Sequence, residues 1–214
     1  MVKSRPYVII NAAISIDGKI ATNTGRSNLS SKKDLIRVHG LRKSVDAILV
    51  GKNTVQTDDP LLTVRYVKGR SPIRIILDPR GESSSKSKVI MTATKIPTII
   101  VTLDNVSKND EKFIAHGVRM IKCGKKIINL KKLLQILKKQ GINRILVEGG
   151  GTTNWYFLKQ RLVDEIIVTV TPYIVGGRTA ISFVEGKGFT KISNSFKLKK
   201  IQKMQNELVL YYVT

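Results

Sequence analysis

The stretch RILVEGGGTTNW, residues 144–155, places an apolar strand directly before three glycines and the start of a helix. This order builds an anion cradle in α/β proteins, because glycines lack the Cβ atoms that keep a phosphate away from backbone N–H groups. The first N–H groups of the helix are unpaired and lie at its positive dipole end. Glu148 stands at the carboxyl end of the strand, where open α/β sheets place ligand-contacting groups. The turn alone equally fits a bend that lets strand and helix pack, and the rest of the chain favours a nucleotide site.

Strand and helix patterns alternate along the chain. Buried strands are predicted at residues 7–14, 47–50, 73–77, 98–102, 118–122 and 144–147. Helices are predicted at residues 31–43, 52–58, 108–115, 129–140 and 155–161, the first with Ser31 and Asp34 spaced as a capping box. Residues 165–175 are strand-rich, residues 83–88 form an exposed loop, and the tail forms a hairpin turned near Gln205-Asn206.

This alternation predicts one α/β domain over residues 1–214, with a mostly parallel central sheet flanked by helices and a C-terminal antiparallel hairpin. The first strand lacks a following GxGxxG, which disfavours a standard Rossmann fold.

The composition excludes several classes of protein. Hydrophobic residues make up 42% of the 214 residues, which is typical of a globular chain. No apolar run is long enough to span a bilayer and no signal-peptide pattern is present, so we expect a cytoplasmic location without membrane association. One cysteine excludes an internal disulfide framework. The absence of C-x-x-C and H-x-E predicts no zinc site.

The formal charge of +23 is the second unusual feature of the chain. Such a field attracts phosphorylated metabolites, nucleic acid or anionic membrane. The lysines are dispersed, however, and aromatic residues make up only 6%. We therefore interpret the charge as a lysine-rich surface that helps to steer anionic substrates, and we expect no nucleic-acid partner. The predicted helix at 129–140 carries four lysines opposite its leucines, which indicates a solvated face.

Arginines occupy two unusual places. On the helix at 31–43, Leu35, Val38, Leu41 and Val45 define an apolar stripe, with Arg42 on the same face and His39 at its edge. A charge on an apolar stripe must reach solvent, pair, or meet an anion. Both a ligand anion and a structural ion pair remain open for Arg42. Arg65 is a second candidate, for which a surface role fits equally well.

Three further segments carry candidate ligand groups after strand ends. Thr54 and Asp58 are one helical turn apart, where they either contact a cofactor's hydroxyls or amide or satisfy local backbone. The turn Asp78-Pro79-Arg80-Gly81 offers Arg80 as a clamp for a 2′-phosphate, which would favour NADP over NAD. Asp17-Gly18-Lys19 is a tight turn that presents an acid and an amine.

Taken together, these segments resemble one family. The ordered motifs are NAAISIDGKIA, DLIRVHGLR, ILVGKNTVQTDDPLLTVR, PIRIILDPRG, ILVEGGGTTNW and LVDEIIVTVTPYIVGG. They resemble the riboflavin-pathway reductases, and in particular the stand-alone archaeal and fungal type, over nearly the whole chain. The resemblance implies a dihydrofolate-reductase-like fold, a homodimer, a phosphorylated ribosylaminopyrimidine as substrate, and NADPH as hydride donor, with NADH as the alternative.

The resemblance also implies roles for particular positions. It assigns to the dinucleotide Thr54, Asp58, Asp78, Pro79, Arg80, Gly81, Gly149, Gly150, Gly151 and Thr152. It assigns to the substrate Asn11, Lys19, Arg42, Leu62, Arg65 and Glu148, with the arginines near the 5′-phosphate and Asp17 lining the same cleft. Lys19, Glu148 and Asp17 are the candidates for the chemistry, and the proton donor is left open among Lys19, Asp17 and water. A cis peptide is expected at Gly149-Gly150.

Two alternatives stay open. A true dihydrofolate reductase would share the fold, although the chain lacks a proline-tryptophan loop after the first strand and an acid placed on the first helix for pteridine protonation. A basic nucleic-acid-binding protein that has lost catalysis is the alternative from a different class.

Overall fold

A computed structural model describes residues 4–106, 110–192 and 195–214, which form two compact units. The first unit comprises the residues up to Tyr7 together with His39–Leu146, and the second comprises Val8–Val38 together with Val147–Thr214. The strands are β1 Tyr7–Ile14, β2 Lys19–Ala21, β3 Ala47–Gly51, β4 Ile73–Leu77, β5 Thr98–Thr102, β6 Arg119–Lys122, β7 Arg144–Val147, β8 Glu165–Val170, β9 Ile181–Ser182, β10 Lys197–Met204 and β11 Glu207–Val213. The helices are α1 Lys32–Lys43, α2 Lys52–Asp58, α3 Lys88–Met91, α4 Asp110–Ile114, α5 Leu130–Lys139 and α6 Gly151–Lys159.

In the first unit the strand order is β7-β3-β4-β5-β6, and β3 to β6 pair in parallel. In the second unit the order is β10-β11-β8-β1, with β1 and β8 parallel and the terminal hairpin antiparallel. The predicted α/β class, with a mostly parallel sheet and a C-terminal antiparallel hairpin, is confirmed. The single domain over residues 1–214 stays a prediction.

Parallel strands are buried on both faces, which explains their continuous apolar sequences. The first unit has a core beneath β3, β4 and β5 that consists of Ile48, Val50, Val55, Leu62, Ile76, Val89, Ile90, Ala93, Ile100, Phe113 and Val118. Helix α5 buries its four leucines and begins at Asn129, whose side chain accepts a hydrogen bond from Lys132 N. The sequence predicted this cap and this apolar face.

The start of α1 differs from a capping box. Ser31 Oγ caps Asp34 N at 3.2 Å, as predicted. The Ser31 N–H is satisfied by Glu207 Oε1 of β11 rather than by Asp34. The apolar stripe on this helix is confirmed in part, because Val38 and Val45 are buried but Leu35 is 36% exposed, whereas Asp34 and His39 are buried as well. Polar side chains bond within the protein here, so hydrophobicity marks the inner face incompletely.

Several predicted boundaries were wrong. Helix α6 begins four residues before the predicted 155, and the strand predicted over 165–175 ends at Val170. Residues 83–88 are not a simple exposed loop, because Ser83 and Ser87 are buried. The first part of the helix predicted at 108–115 lies outside the described residues, and α4 is described from Asp110.

A buried arginine ties together the loops of the first unit. Arg74, on β4, is fully buried and donates to Thr98 Oγ1, Thr92 Oγ1, Leu61 O and Ile96 O at 2.8–3.2 Å. Burial lowers the pKa of this guanidinium to about 10, so it stays charged at neutral pH. One side chain therefore satisfies four acceptors from two stretches of the chain, at Leu61 and at residues 92–98.

Replacing Arg74 with Met should lower the free energy of unfolding by about 3 kcal/mol or more, since each buried acceptor left without a donor costs about 1–3 kcal/mol. Urea unfolding measures the change. The control is Arg119→Met on the exposed end of β6, which should stay within about 0.5 kcal/mol of the wild type. Equal stability of the two variants would contradict the role of Arg74.

Candidate active site

In the second unit, Lys19 is held by a small two-stranded sheet. Strand β2 pairs with β9, which places Lys19 opposite Ser182. The half-buried Lys19 ammonium donates to Ser182 Oγ at 3.0 Å and to Ala180 O at 3.2 Å. These two acceptors fix the position of a side chain that would otherwise sample many rotamers.

Asp17 is anchored as an anion. Its carboxylate accepts from the Ser15 hydroxyl at 2.6 Å and from the N–H groups of Val175 and Gly176 at 3.0 and 2.7 Å. These hydrogen bonds, that of Ser15 first, lower the pKa of Asp17 to about 2. The carboxyl is therefore ionised at neutral pH, which disfavours it as the proton donor.

The glycine turn is shaped by close backbone contacts. A Cβ atom on Gly151 would lie 2.4 Å from Ser182 O, and one on Gly149 would lie 2.6 Å from Thr153 Cβ. Gly150 is the N-cap of α6 and offers no side chain to its first N–H groups. The predicted cis peptide at Gly149-Gly150 was wrong, since this bond is trans. The glycines are explained by the approach of Thr153 and Ser182, which a trans backbone accommodates.

A segment after β8 connects Lys19 with this turn. Ser182 N donates to Glu185 Oε1 at 3.2 Å, and Glu185 N donates to Gly151 O at 3.0 Å. Lys19, Ser182, Glu185 and Gly151 thus form a continuous chain of contacts within the second unit. Sequence reasoning missed Ser182 and Glu185, because their segment has no periodic pattern and lies about 30 residues from the glycine turn.

Asn11 is oriented by an arginine that the sequence did not single out. Buried Asn11 accepts from Arg37 Nη2 at 2.9 Å through Oδ1, which leaves its amide N–H₂ to face the other way. Arg37 also donates to Asp34 Oδ1 at 2.8 Å and to Thr169 Oγ1 at 3.1 Å.

Glu148 is half-buried directly after β7, as its place in the sequence predicted.

In the first unit, the candidate cofactor residues follow the carboxyl ends of β3 and β4. Thr54 is half-buried on α2, and Asp58 is exposed in the last turn of this helix. Partial desolvation raises the pKa of Asp58. Both residues lie on one helix, one turn apart, as the sequence predicted.

The Asp78–Gly81 turn is organised by its own aspartate. Fully buried Asp78 accepts from the N–H groups of Glu82 and Ser83 at 3.0 and 2.7 Å, so its oxygens serve the backbone. Pro79 and Arg80 are exposed, and Arg80 Nη1 lies 3.5 Å from Glu82 Oε1. Arg80, rather than Asp78, is available to a ligand.

The two arginines that are candidates for binding a phosphate both donate hydrogen bonds to Thr63 in the first unit. Arg42 Nη1 donates to Thr63 O at 3.1 Å, and Arg65 Nη1 donates to Thr63 Oγ1 at 2.9 Å. Leu62, just before Thr63, has a buried side chain, and its backbone adopts the left-handed conformation with φ 52°. Arg42, Leu62 and Arg65 are therefore brought together.

Among the ranges described, no cluster of three or more His, Cys, Asp or Glu side chains is placed to hold a metal ion. None of the described helices has the length and apolar character that a membrane span requires.

Residues 6–210 match the model of the RibD C-terminal domain. The chain belongs to this family. A 2,5-diamino-6-ribosylamino-4(3H)-pyrimidinone 5′-phosphate reductase of Methanothermobacter thermautotrophicus is 38% identical, covering 97% of this chain and 98% of the relative. The reductase of the same name from Archaeoglobus fulgidus is 34% identical over 92% of this chain and 94% of the relative.

Solved structures of RibD-type proteins share the fold. RibD of Acinetobacter baumannii is 27% identical with a TM-score of 0.84, covering 99% of this chain and 58% of that chain. The riboflavin biosynthesis reductase Rib7 of Saccharomyces cerevisiae is 25% identical with a TM-score of 0.77, covering 99% of this chain and 90% of that chain. The family predicted from the sequence motifs is confirmed.

The anchoring of Asp17 predicts a pH-dependent stability. Because its pKa falls from 3.8 to about 2 on folding, the ionised group stabilises the protein above about pH 4, and this contribution is lost as pH falls toward 2. Asp17→Asn should therefore be less stable than the wild type at neutral pH, and the difference should shrink with acidification. Urea midpoints across this range measure it. The control Glu111→Gln, on the exposed surface of α4, should show no such convergence.

Proposed function

We propose that this chain reduces the ribosyl side chain of 2,5-diamino-6-ribosylamino-4(3H)-pyrimidinone 5′-phosphate to the ribitylamino compound, with NADPH as reductant. The reductases of M. thermautotrophicus and A. fulgidus, which match nearly end to end, carry this name. The observation that carries the proposal in this structure is the contact chain from the Lys19 ammonium through Ser182 and Glu185 to the glycine turn. This chain of contacts links the Lys19 ammonium, which can hydrogen-bond to the substrate's sugar, with the backbone N–H groups of the glycine turn, which can bind the pyrophosphate of the cofactor.

The substrate chemistry defines what the residues must do. Hydride can enter a ribosylamine only after the sugar ring opens to an imine at C1′. The protein must stabilise the opened chain, hold C1′ in place, and allow a proton to reach the ring oxygen or nitrogen. We assign the positioning of the opened sugar and base to Lys19 and Glu148. Asp17, ionised at neutral pH, holds the turn that carries Lys19, which leaves Lys19 or water as the proton donor.

The start of α6 fits a dinucleotide. Gly150, Gly151 and Thr152 offer N–H groups at a helix terminus without a side-chain cap, and this arrangement favours phosphate oxygens. NADPH would supply the hydride that enters C1′. In the first unit, Thr54 and Asp58 are assigned to its polar groups. Exposed Arg80 is assigned to the 2′-phosphate, which is the basis for proposing NADPH rather than NADH.

Arg42 and Arg65 are assigned to the 5′-phosphate of the substrate. Both guanidinium groups donate to Thr63, Arg42 to its carbonyl oxygen and Arg65 to its hydroxyl, and a guanidinium donates well to phosphate oxygens. Asn11 is assigned to the substrate through the amide group that Arg37 orients. A homodimer and a cytoplasmic location complete the proposal. Nothing in the site favours dihydrofolate reduction.

Replacing Lys19 with Ala should lower turnover about 100-fold or more, the usual range for loss of a proton-transfer or charge-stabilising group. NADPH affinity, measured by fluorescence titration, should stay nearly unchanged, because the α6 backbone is intact. Lys139→Ala, on the exposed face of α5, is the matched control and should behave as the wild type. Turnover of Lys19→Ala within about twofold of the wild type, or about 0.4 kcal/mol in the barrier, would contradict the assignment.

A further inference from the structure

The segment Leu61–Arg65 of the first unit is held by side chains at nearly every residue. Arg74 Nη1 donates to Leu61 O, and Arg42 Nη1 donates to Thr63 O. Val64 N donates to Ser71 Oγ at 3.0 Å. The segment has no strand partner or helical ladder, so these contacts replace secondary structure in fixing its path.

A histidine makes a further contact with this segment, at Arg65. His39, on α1, is 2% exposed, and its Nδ1 accepts from Arg65 N at 2.7 Å. Tyr66 N lies 3.4 Å from the same atom, and the Tyr66 ring packs edge-on against the imidazole with the centroids 4.6 Å apart. An imidazole nitrogen that accepts a hydrogen bond carries no proton, so the ring presents Nδ1 as an acceptor and keeps its proton on Nε2.

We propose that His39 is a positioning residue that sets Arg65 for recognition of the substrate's 5′-phosphate. The inference rests on the proposed function for the role of Arg65 and adds the group that aligns it. The Arg65 backbone is fixed by His39, while the Arg65 guanidinium is fixed by Thr63 Oγ1. With both ends of the residue held, the guanidinium is aligned beside that of Arg42 before the anion arrives.

Alignment of this kind affects binding of the phosphate rather than the chemistry at C1′. His39 contacts the main chain of Arg65 and so acts through that residue. Without the Nδ1 acceptor, the Arg65 N–H loses its partner and residues 63–66 can adopt other paths. The entropic cost of ordering Arg65 would then weaken the binding of every ligand whose phosphate contacts Arg65. A ligand without phosphate would be unaffected.

Three substitutions separate the acceptor from the packing. In His39→Asn, the amide Oδ1 stands close to the position of Nδ1 and can accept from Arg65 N. In His39→Leu, the volume is similar but the acceptor is absent. His39→Gln, which places its amide near Nε2 instead, is a second variant without an acceptor at the Nδ1 position.

Each variant is tested on the phosphorylated ribosylaminopyrimidine and on its dephosphorylated form, by steady-state kinetics and by calorimetric titration. For Leu and Gln we expect KM and Kd of the phosphorylated form to rise about tenfold, with kcat within about twofold of the wild type. The dephosphorylated form should bind the wild type and all variants alike. Asn should restore phosphate-dependent affinity to within about threefold of the wild type.

A loss in Leu and Gln that is equal for both ligands, or an Asn variant no better than Leu, would overturn the inference in favour of a purely structural His39. Unchanged affinity in all three variants would overturn it as well. Failure of the proposed function is a separate result, namely a wild type that binds the ligand without oxidising NADPH. Because binding is measured independently of turnover, His39 is judged in that case also.

Discussion

The candidate active site of the second unit depends on the absence of a side chain at Gly151. The carbonyl of Ser182 lies so close that a Cβ atom at this position would be 2.4 Å from the oxygen. This approach lets Glu185 N bond to Gly151 O and brings Ser182 within reach of the Lys19 ammonium. Any larger residue at 151 would push away the segment that positions Lys19. The glycine therefore serves the alignment of Lys19, and in the proposed function it also gives a phosphate access to backbone N–H groups.

Polar side-chain contacts fix the loops of both units. In the first unit, Arg74, Arg42 and His39 hold a segment that has no regular structure of its own. In the second unit, Asp17 and Arg37 orient Lys19's turn and the Asn11 amide. Each contact adds little net stability, but together they remove conformational freedom at the candidate ligand-binding residues. A site built in this way is aligned before the substrate binds.

The sequence was sufficient for the parts of the structure that follow from local pattern. The apolar strands, the Asn129 cap and the glycine turn with its family were predicted because each has a short-range signal. The inner face of α1 was predicted only in part: Val38 and Val45 are buried, but Asp34 and His39 are also buried, through polar contacts that hydrophobic periodicity does not detect. The roles of Ser182, Glu185 and Arg37 depend on pairing between distant segments. No single-residue signal indicates that β9 pairs with β2 and places Ser182 opposite Lys19.

The central claim is that this chain reduces C1′ of an opened, phosphorylated ribosylaminopyrimidine with a nicotinamide as hydride donor. The most direct measurement uses NADPH deuterated at C4 of the nicotinamide and follows the label into the product by mass spectrometry and NMR. The account predicts a ribitylamino product with a single deuterium on C1′, formed in step with NADPH oxidation. A product without label at C1′, or no consumption of NADPH in the presence of this substrate, would contradict it.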